Sequence, residues 1–255
     1  MKRILMRPIG LAIFLLIATA IPIVMASVTM YQIPTGQLQG VSIKFAAVPV
    51  SLFVHSLGGV LFGLLGPLQF AGVMKRRFGR LHRVTGRVFV AAGLALALSS
   101  LRLLAEFPHP STWVLTSARL AAGAGLAAAL IKALVAIGRR DIARHRAWMI
   151  RAYAVGMGAA TISFIMLPIF LITGEPVEGY AADLLFVLSW VINIVIAEWV
   201  IRRTAIPQRA ITAAVASATR SKTKAPWPIK TAAPPAQKTG ATGPKWSARW
   251  QKNQL

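Results

Sequence analysis

The chain of 255 residues contains no cysteine and only six acidic residues. Without cysteine it cannot form a disulfide, a thiolate zinc site, an iron–sulfur cluster or a covalently attached c-type haem. Charged residues make up 14% of the chain, against about 25% in an ordinary soluble domain, which argues against a soluble enzyme. Neither a GxGxxG nor a Walker loop occurs, and no Ser-His-Asp or paired-carboxylate arrangement is visible, so an ordinary hydrolase is not expected.

Apolar residues make up 56% of the chain and concentrate in six long stretches. A helix needs about 20 apolar residues to cross a hydrocarbon core about 30 Å thick. The six stretches meet or approach that length and cover residues 8–30, 45–74, 86–104, 113–137, 148–172 and 181–201. The sequence therefore predicts an all-α integral membrane protein, with a bundle of six transmembrane helices over residues 1–203.

The basic residues predict the orientation of this bundle. Lys and Arg number 29, which leaves a formal charge of +23, and they cluster before the first stretch, in the connections 75–87 and 139–151, and after the sixth. These clusters fall in every second connection and therefore on one side, so the positive-inside rule predicts a multi-pass protein of the bacterial inner membrane with both termini cytoplasmic. The first stretch could instead be a signal peptide cleaved near Val24-Met25-Ala26, but it is longer than the usual apolar region of about 7–15 residues.

Residues 204–255 differ sharply in composition from the rest of the chain. They are rich in Ala, Pro, Thr and Lys and contain no acid, which predicts a disordered basic cytoplasmic tail. The tail is either a solvated tether or a segment that lies on anionic lipid, with Trp227, Trp246 and Trp250 at the interface. A nucleic-acid partner is not expected, because no recognised fold surrounds the charge.

The second stretch carries a histidine and a strip of glycines on one predicted helical face. Gly59, Gly63 and Gly66 follow His55 at spacings of four, four and three residues. Small residues at this spacing are typical of close helix packing in membranes. The alternative is a flat cofactor such as haem against the glycines, with His55 as an axial ligand.

Two similar basic segments open the third and fifth predicted helices. One contains His82, Arg83 and Arg87. The other contains His145, Arg146 and Arg151. The N-terminal end of a helix carries about half a positive charge, which disfavours cations in the first turn. A bound anion would relieve the conflict, and lipid phosphates, phosphorylated substrates, carboxylates and haem propionates all fit such helix ends.

Two other readings of these segments stay open. One is positive-inside anchoring without a specific ligand. The other uses His82 and His145 as ligands of haem iron, and no metal beyond haem iron is predicted. His55 lies near mid-bilayer, on the order of 15 Å from the level of His82, so one haem cannot take both, whereas His82 and His145 can share a level. His109, flanked by prolines in an outer loop, is expected to be exposed.

Four charged residues fall inside or near the ends of the predicted spans: Arg102, Arg119, Lys132 and Glu198. Lys132 and Arg102 are close enough to helix ends to snorkel. Glu198 precedes Arg202 by four residues, which predicts an ion pair along one helix. Arg119 either snorkels outward or meets Glu106 or an anionic solute.

Three blocks of the sequence, taken in order, resemble the bacterial predicted membrane proteins of domain-of-unknown-function family 2306, DUF2306. The first runs from His55 to the Gly66-Pro67-Leu68-Gln69-Phe70 segment, and the others cover residues 80–87 and 144–154. The resemblance extends over residues 51–167, and this sequence reads Thr161-Ile162-Ser163-Phe164 where the family usually has a further arginine. By this resemblance the recurrent positions are His55, Gly66, Pro67, Gln69, His82, Arg83, Gly86, Arg87, His145, Arg146, Trp148, Met149, Arg151 and Tyr153.

The resemblance implies a membrane protein without a settled activity, so three functions remain. The preferred hypothesis is an anionic cofactor at the paired His-Arg helix ends, either haem b or a quinone in a redox role, held by His55, His82, His145, Arg83, Arg87, Arg146 and Arg151. The second is binding or transport of an anionic lipid or metabolite, with headgroups at the cytoplasmic face as partners. The third is a structural or assembly protein without a cofactor.

Overall fold

A computed structural model describes residues 8–38, 46–71, 74, 77–106 and 112–224, and all regular secondary structure in these residues is helical. The helices are α1 (Pro8–Thr35), α2 (Pro49–Phe70), α3 (Gly79–Glu106), α4 (Trp113–Gly138), α5 (Ile142–Gly156), α6 (Gly158–Thr173) and α7 (Gly179–Lys224). Six segments are long and apolar enough to cross a membrane, with α5 and α6 together forming the fifth. The predicted all-α architecture with six spans is confirmed.

Two spans differ from their predicted form. α3 begins at Gly79 rather than residue 86, so the segment 80–87 is helical throughout. The fifth span is interrupted at Met157, between α5 and α6. Glycines stand on both sides of Met157, and glycine is poor at continuing a helix because it loses more backbone freedom than other residues.

Polar side chains cap the N-terminal ends of two helices. Thr112 caps α4, its hydroxyl accepting a hydrogen bond from the Leu115 N–H at 3.3 Å. Asp141 caps α5, its Oδ1 accepting from the Arg144 N–H at 2.9 Å. Between α4 and α5 the backbone turns through Arg140, which has φ of 58°. This turn is short enough to make α4 and α5 antiparallel neighbours.

The core lies among α2, α3, α4 and α5. Gly58 brings α2 very close to α3, since a Cβ at this position would lie 3.0 Å from both the Ala92 oxygen and the Leu96 nitrogen. Next to this contact, Phe62 of α2 stacks on Phe89 of α3 with ring centroids 4.4 Å apart. The remaining core residues are small or aliphatic and come mainly from α4 and α5: Leu126, Ala129, Leu130, Ala133, Met149 and Ala152.

The outer surfaces of α1 and α7 are apolar. Phe14 and Ile17 of α1 and Leu188 and Val195 of α7 are among the large apolar side chains left exposed. Extended apolar surfaces are uncommon on soluble monomers. They are the surface that a membrane-spanning helix presents to lipid tails.

The chain divides into two compact units, Met1–Arg209 and Ala210–Leu255. α7 passes the end of the sixth span at Thr204 and continues to Lys224, into the segment for which the composition predicts disorder. Alanine is frequent between residues 205 and 218, and alanine has the highest helix propensity. Outside the described residues lie residues 225–255 with the three tail tryptophans, the basic N-terminus, Lys75, Arg76 and His109.

Candidate functional site: the basic end of the bundle

The first two sequence blocks contact each other at the end of α2. Gln69 Nε2 donates a hydrogen bond to Thr85 Oγ1 on α3 at 2.7 Å. Gly86 gives the amide room, since a Cβ there would lie 3.2 Å from Gln69 Oε1. Pro67, two residues before Gln69, is fully buried. The end of α2 is therefore tied to the start of α3.

The third block contacts the first through Tyr153 of α5. A Cβ on Gly66 would overlap the Tyr153 ring, so only glycine lets the ring lie against α2. The same ring packs on Phe62 and Phe70 at centroid distances of 5.7 and 5.1 Å. Its hydroxyl oxygen is buried and has no hydrogen-bond partner among the described residues. Three segments far apart in sequence thus meet at one end of the bundle.

His82 and His145 lie at this same end. Each is the fourth residue of its helix, in α3 and α5 respectively. The rings of Phe89 and Tyr153, seven and eight residues further along, lie 6.3 Å apart. The two histidines are therefore at nearly the same level, and both are half-buried. His145 Nδ1 lies 2.9 Å from the Ala133 oxygen of α4, and it carries the proton because a carbonyl only accepts.

His55 lies far from this end. Its Nδ1 is 3.3 Å from the Ser99 hydroxyl of α3, and that hydroxyl donates to the Ala95 oxygen at 2.6 Å. Ser99 follows His82 by 17 residues on the same helix, which is a separation of about 25 Å at 1.5 Å per residue. The structure therefore does not bring His55 together with His82.

The glycine strip of α2 meets side chains from three different helices. A Cβ on Gly59 would lie 3.9 Å from Leu96 of α3, and one on Gly63 would lie 3.1 Å from Ile23 of α1. Gly66 receives Tyr153 of α5. The face that could have held a flat cofactor is thus in contact with protein along its length.

Arginine dominates the exposed surface of this end. Asp141, which lies among these arginines, is engaged as the cap of α5. We call the following exposed residues the basic end: Arg77, Arg80, Arg83, Arg87, Arg139, Arg140, Arg144 and Arg146.

Arg151, the remaining predicted site arginine, is held by another helix. Its Nε and Nη2 donate to the two carboxylate oxygens of Glu198 on α7 at 2.6 and 3.0 Å. The predicted partner of Glu198 was Arg202, and this is corrected, because the salt bridge runs between helices instead. A bidentate guanidinium–carboxylate pair is geometrically more favourable than a contact along one helix. The Trp148 ring lies beside the pair, with Arg151 Cζ 4.7 Å from its centroid.

Polar residues at helical spacing join α7 to the bundle, and the sequence analysis did not identify this pattern. Asp183 Oδ2 accepts from the Thr112 N–H at 2.8 Å. Trp190 Nε1 donates to the Val155 oxygen, beside the break in the fifth span, at 3.2 Å. Asn193 and Glu198 make further contacts, with Thr161 of α6 and Arg151 of α5. In the sequence, these four residues stand seven, three and five positions apart within an apolar span. That pattern could have indicated contacts with other helices, because polar residues within a span face protein rather than lipid.

The other intramembrane charges also have contacts. Arg102 pairs with Glu106 at 2.8 Å, one turn later on α3. Arg119 lies over the Phe186 ring of α7, 5.7 Å from its centroid. Lys132 Nζ lies 4.6 Å from the Trp148 centroid. Within the part of the chain that the structure describes, no three His, Asp or Glu residues form a group that could hold a metal ion.

Comparison with known proteins gives one match. A family model described as "Predicted membrane protein (DUF2306)" matches residues 52–201. This range contains all three sequence blocks and the polar face of α7. Neither the curated proteins nor the solved structures gave a match to the chain.

Proposed function

Because the chain belongs to the DUF2306 family of predicted membrane proteins, we propose that it functions within the lipid bilayer, where its basic end binds anionic headgroups that carry phosphate. We further propose that it is a multi-pass protein of the bacterial inner membrane with both termini in the cytoplasm. The basic end then faces the leaflet whose lipids are anionic.

One observation carries this proposal: eight exposed arginines surround the starts of α3 and α5 and the turn between α4 and α5. Arg80 and Arg144 lie in the first turns of their helices, where cations are destabilising. A phosphate at this position would accept hydrogen bonds from guanidinium groups and would also interact favourably with the helix N-termini.

The interior beneath the basic end favours binding at the surface over passage through the bundle. Phe62, Phe89 and Tyr153 stack there with centroid distances from 4.4 to 6.3 Å. A charged metabolite would have to displace this aromatic cluster and leave its water shell. A lipid phosphate can reach the arginines from the membrane surface without entering the core.

Haem b is not part of the proposal. His55 is about 25 Å along α3 from the level of His82, and the glycine strip beside His55 contacts Leu96, Ile23 and Tyr153. The pairing of His82 with His145 is tested directly by absorbance. A Soret band that disappears when either histidine is replaced by alanine would overturn the lipid proposal in favour of haem.

The lipid proposal is tested with purified protein in detergent, by titrating phosphatidylglycerol and following the thermal midpoint of unfolding. Anionic lipid should raise this midpoint, because a ligand that binds the folded state stabilises it. In the double variant Arg83→Gln with Arg146→Gln, the lipid concentration needed should rise about 30-fold, since each basic residue near the surface contributes about 1 kcal/mol and a factor of ten corresponds to about 1.4 kcal/mol.

The matched control is Arg102→Gln with Arg119→Gln, which removes two arginines from outside the basic end. Its response to phosphatidylglycerol should equal that of the unmodified protein. An equal loss of response in both double variants would mean that net charge alone is responsible. No loss in the first double variant would contradict the proposed site.

A further inference from the structure

A groove runs between α4, α5 and α7 on the side of the bundle where α7 is joined by polar contacts. Its volume is about 180 Å³, and its lining includes Trp148, Arg151 and Glu198. The space is open because several lining residues are small, among them Gly125 and Ala129 of α4. The groove is therefore a mainly apolar recess with one salt bridge, Arg151–Glu198, in its lining.

The groove presents charges of both signs. The side chains of Arg151 and Glu198 are each 32% exposed although they pair with each other. Lys132 and Arg151 both lie over Trp148, at 4.6 and 4.7 Å from its ring centroids. Arg151 and Glu198 are thus available to a molecule that enters the groove, and Lys132 lies beside Trp148, which also lines it.

The charged part of the groove lies toward the headgroup side of the bilayer. Glu198 is six residues before Thr204, where the sixth span ends, which corresponds to about 9 Å along the helix. One residue further, Trp199 is exposed and Arg203 Cζ lies 4.2 Å from its ring centroid. Tryptophan and arginine together are typical of the membrane–water interface.

We propose that this groove binds a phospholipid whose headgroup carries a primary amine beside its phosphate, with phosphatidylethanolamine as the simplest example. The phosphate lies against Arg151 and Lys132, and the ammonium donates hydrogen bonds to Glu198. Arg151, the phosphate, the ammonium and Glu198 then alternate in sign, so the Arg151–Glu198 salt bridge is kept and each lipid charge gains an opposite partner. The acyl chains follow the exposed apolar side of α7.

Charge complementarity separates this lipid from the other common headgroups. Phosphatidylglycerol brings a phosphate but no cation, so Glu198 would repel it. Phosphatidylcholine is zwitterionic, but its quaternary nitrogen has no N–H to donate. The groove therefore differs in preference from the basic end, where eight exposed arginines surround one carboxylate, the α5 cap Asp141, and select net negative charge.

The experiment measures lipid retention by native mass spectrometry on the purified, detergent-solubilised chain. The lipids are dioleoyl phosphatidylethanolamine, its N-methyl and N,N-dimethyl derivatives, phosphatidylcholine and phosphatidylglycerol. The unmodified protein should retain phosphatidylethanolamine about tenfold better than phosphatidylcholine, since a hydrogen bond to a charged group is worth about 1.5–3 kcal/mol. Retention should fall stepwise as methyl groups replace the donors.

Glu198→Gln removes the acceptor charge and leaves Arg151 without its carboxylate. The preference for phosphatidylethanolamine over phosphatidylcholine should disappear, and retention of phosphatidylglycerol should rise. Glu106→Gln is the matched control, because it breaks the Arg102–Glu106 salt bridge at the other end of the bundle and should change neither ratio.

Equal retention of the amine and its methylated forms by the unmodified protein would overturn the proposal, and this test needs no variant to fold. A preference that survives Glu198→Gln would also overturn it. The double variant Arg83→Gln with Arg146→Gln should keep the amine preference, so failure at the basic end and failure at the groove give different results.

Discussion

At the scale of single residues, Gly66 decides how closely α5 approaches α2. The space that a Cβ would occupy is filled by the Tyr153 ring, and that ring is held in turn by Phe62 and Phe70. The ring cannot move aside without disturbing both contacts. Gly66 is therefore a packing residue of the candidate site, even though its spacing from His55 also suits a cofactor surface.

We predict that Gly66→Ala destabilises the protein by about 1–3 kcal/mol, the usual cost of overpacking a filled core. Thermal unfolding in detergent measures the change. Gly125→Ala is the matched control, because a Cβ there meets nothing within 4 Å, and alanine in a helix is favoured over glycine by up to about 1 kcal/mol. Equal effects of the two substitutions would contradict the packing role of Gly66.

The Tyr153 hydroxyl gives a second prediction at this scale. Its oxygen is buried without a hydrogen-bond partner among the described residues, and a buried unsatisfied polar group costs about 1–3 kcal/mol. Tyr153→Phe keeps the ring contacts and removes the hydroxyl, so the thermal midpoint of the lipid-free protein should rise. A fall of the midpoint would show that the hydroxyl has a partner that stabilises the fold.

At the scale of helices, the fifth span is interrupted and the sixth crosses beside the interruption. Trp190 of α7 donates to the Val155 oxygen next to the break. Gly158 accommodates the indole, since a Cβ at that position would overlap it. A backbone carbonyl near a helix break within a membrane requires such a donor, because lipid offers none.

We predict that Trp190→Phe lowers the free energy of unfolding by about 1 kcal/mol through loss of this hydrogen bond. The thermal midpoint should fall by about 2–4 °C, as expected for a chain of this size. Trp199→Phe on the same helix is the control, because Trp199 is 52% exposed and should change the midpoint much less. An equal shift in both variants would mean that loss of apolar area is the cause.

Helix content and span number followed from the sequence, because about 20 consecutive apolar residues specify a membrane helix with little help from tertiary contacts. The break at Met157 was not predicted, since the apolar run 148–172 continues through both glycines. The partner of Glu198 was also predicted wrongly, because spacing along one helix reveals only neighbours on that helix. Arg151 lies 47 residues away in sequence, and only the packing of α5 beside α7 brings the two together.

The sequence predicted which residues form the candidate site better than it predicted which of them contact each other. The three blocks with their histidines and arginines stand out from an apolar background, and the structure gathers Gly66, Gln69, Thr85 and Tyr153 from them at one end. Sequence could not show that Tyr153 rather than a cofactor lies against Gly66. A glycine strip offers the same smooth surface to a ring of either kind.

At the scale of the whole molecule, the charge is distributed unequally between the two ends of the bundle. The basic end carries eight exposed arginines, whereas the connection between α6 and α7 contains Glu175 and Glu178 and no Lys or Arg. In the proposed orientation, which follows the positive-inside rule, the basic end faces the cytoplasm and this acidic connection lies on the outer side. The inner leaflet supplies the anionic lipid that the proposed function requires.

Because the natural chain has no cysteine, single cysteines can report this orientation without background. In cells whose inner membrane is intact and accessible from outside, we predict that a membrane-impermeant maleimide labels Glu178→Cys. Gly138→Cys, in the exposed end of α4 beside Arg139, should be labelled only after the membrane is opened. Both positions are exposed, so a difference in labelling does not come from burial of the side chain. A reversed labelling pattern would place the arginines on the outer side and remove the basis for inner-leaflet lipid binding.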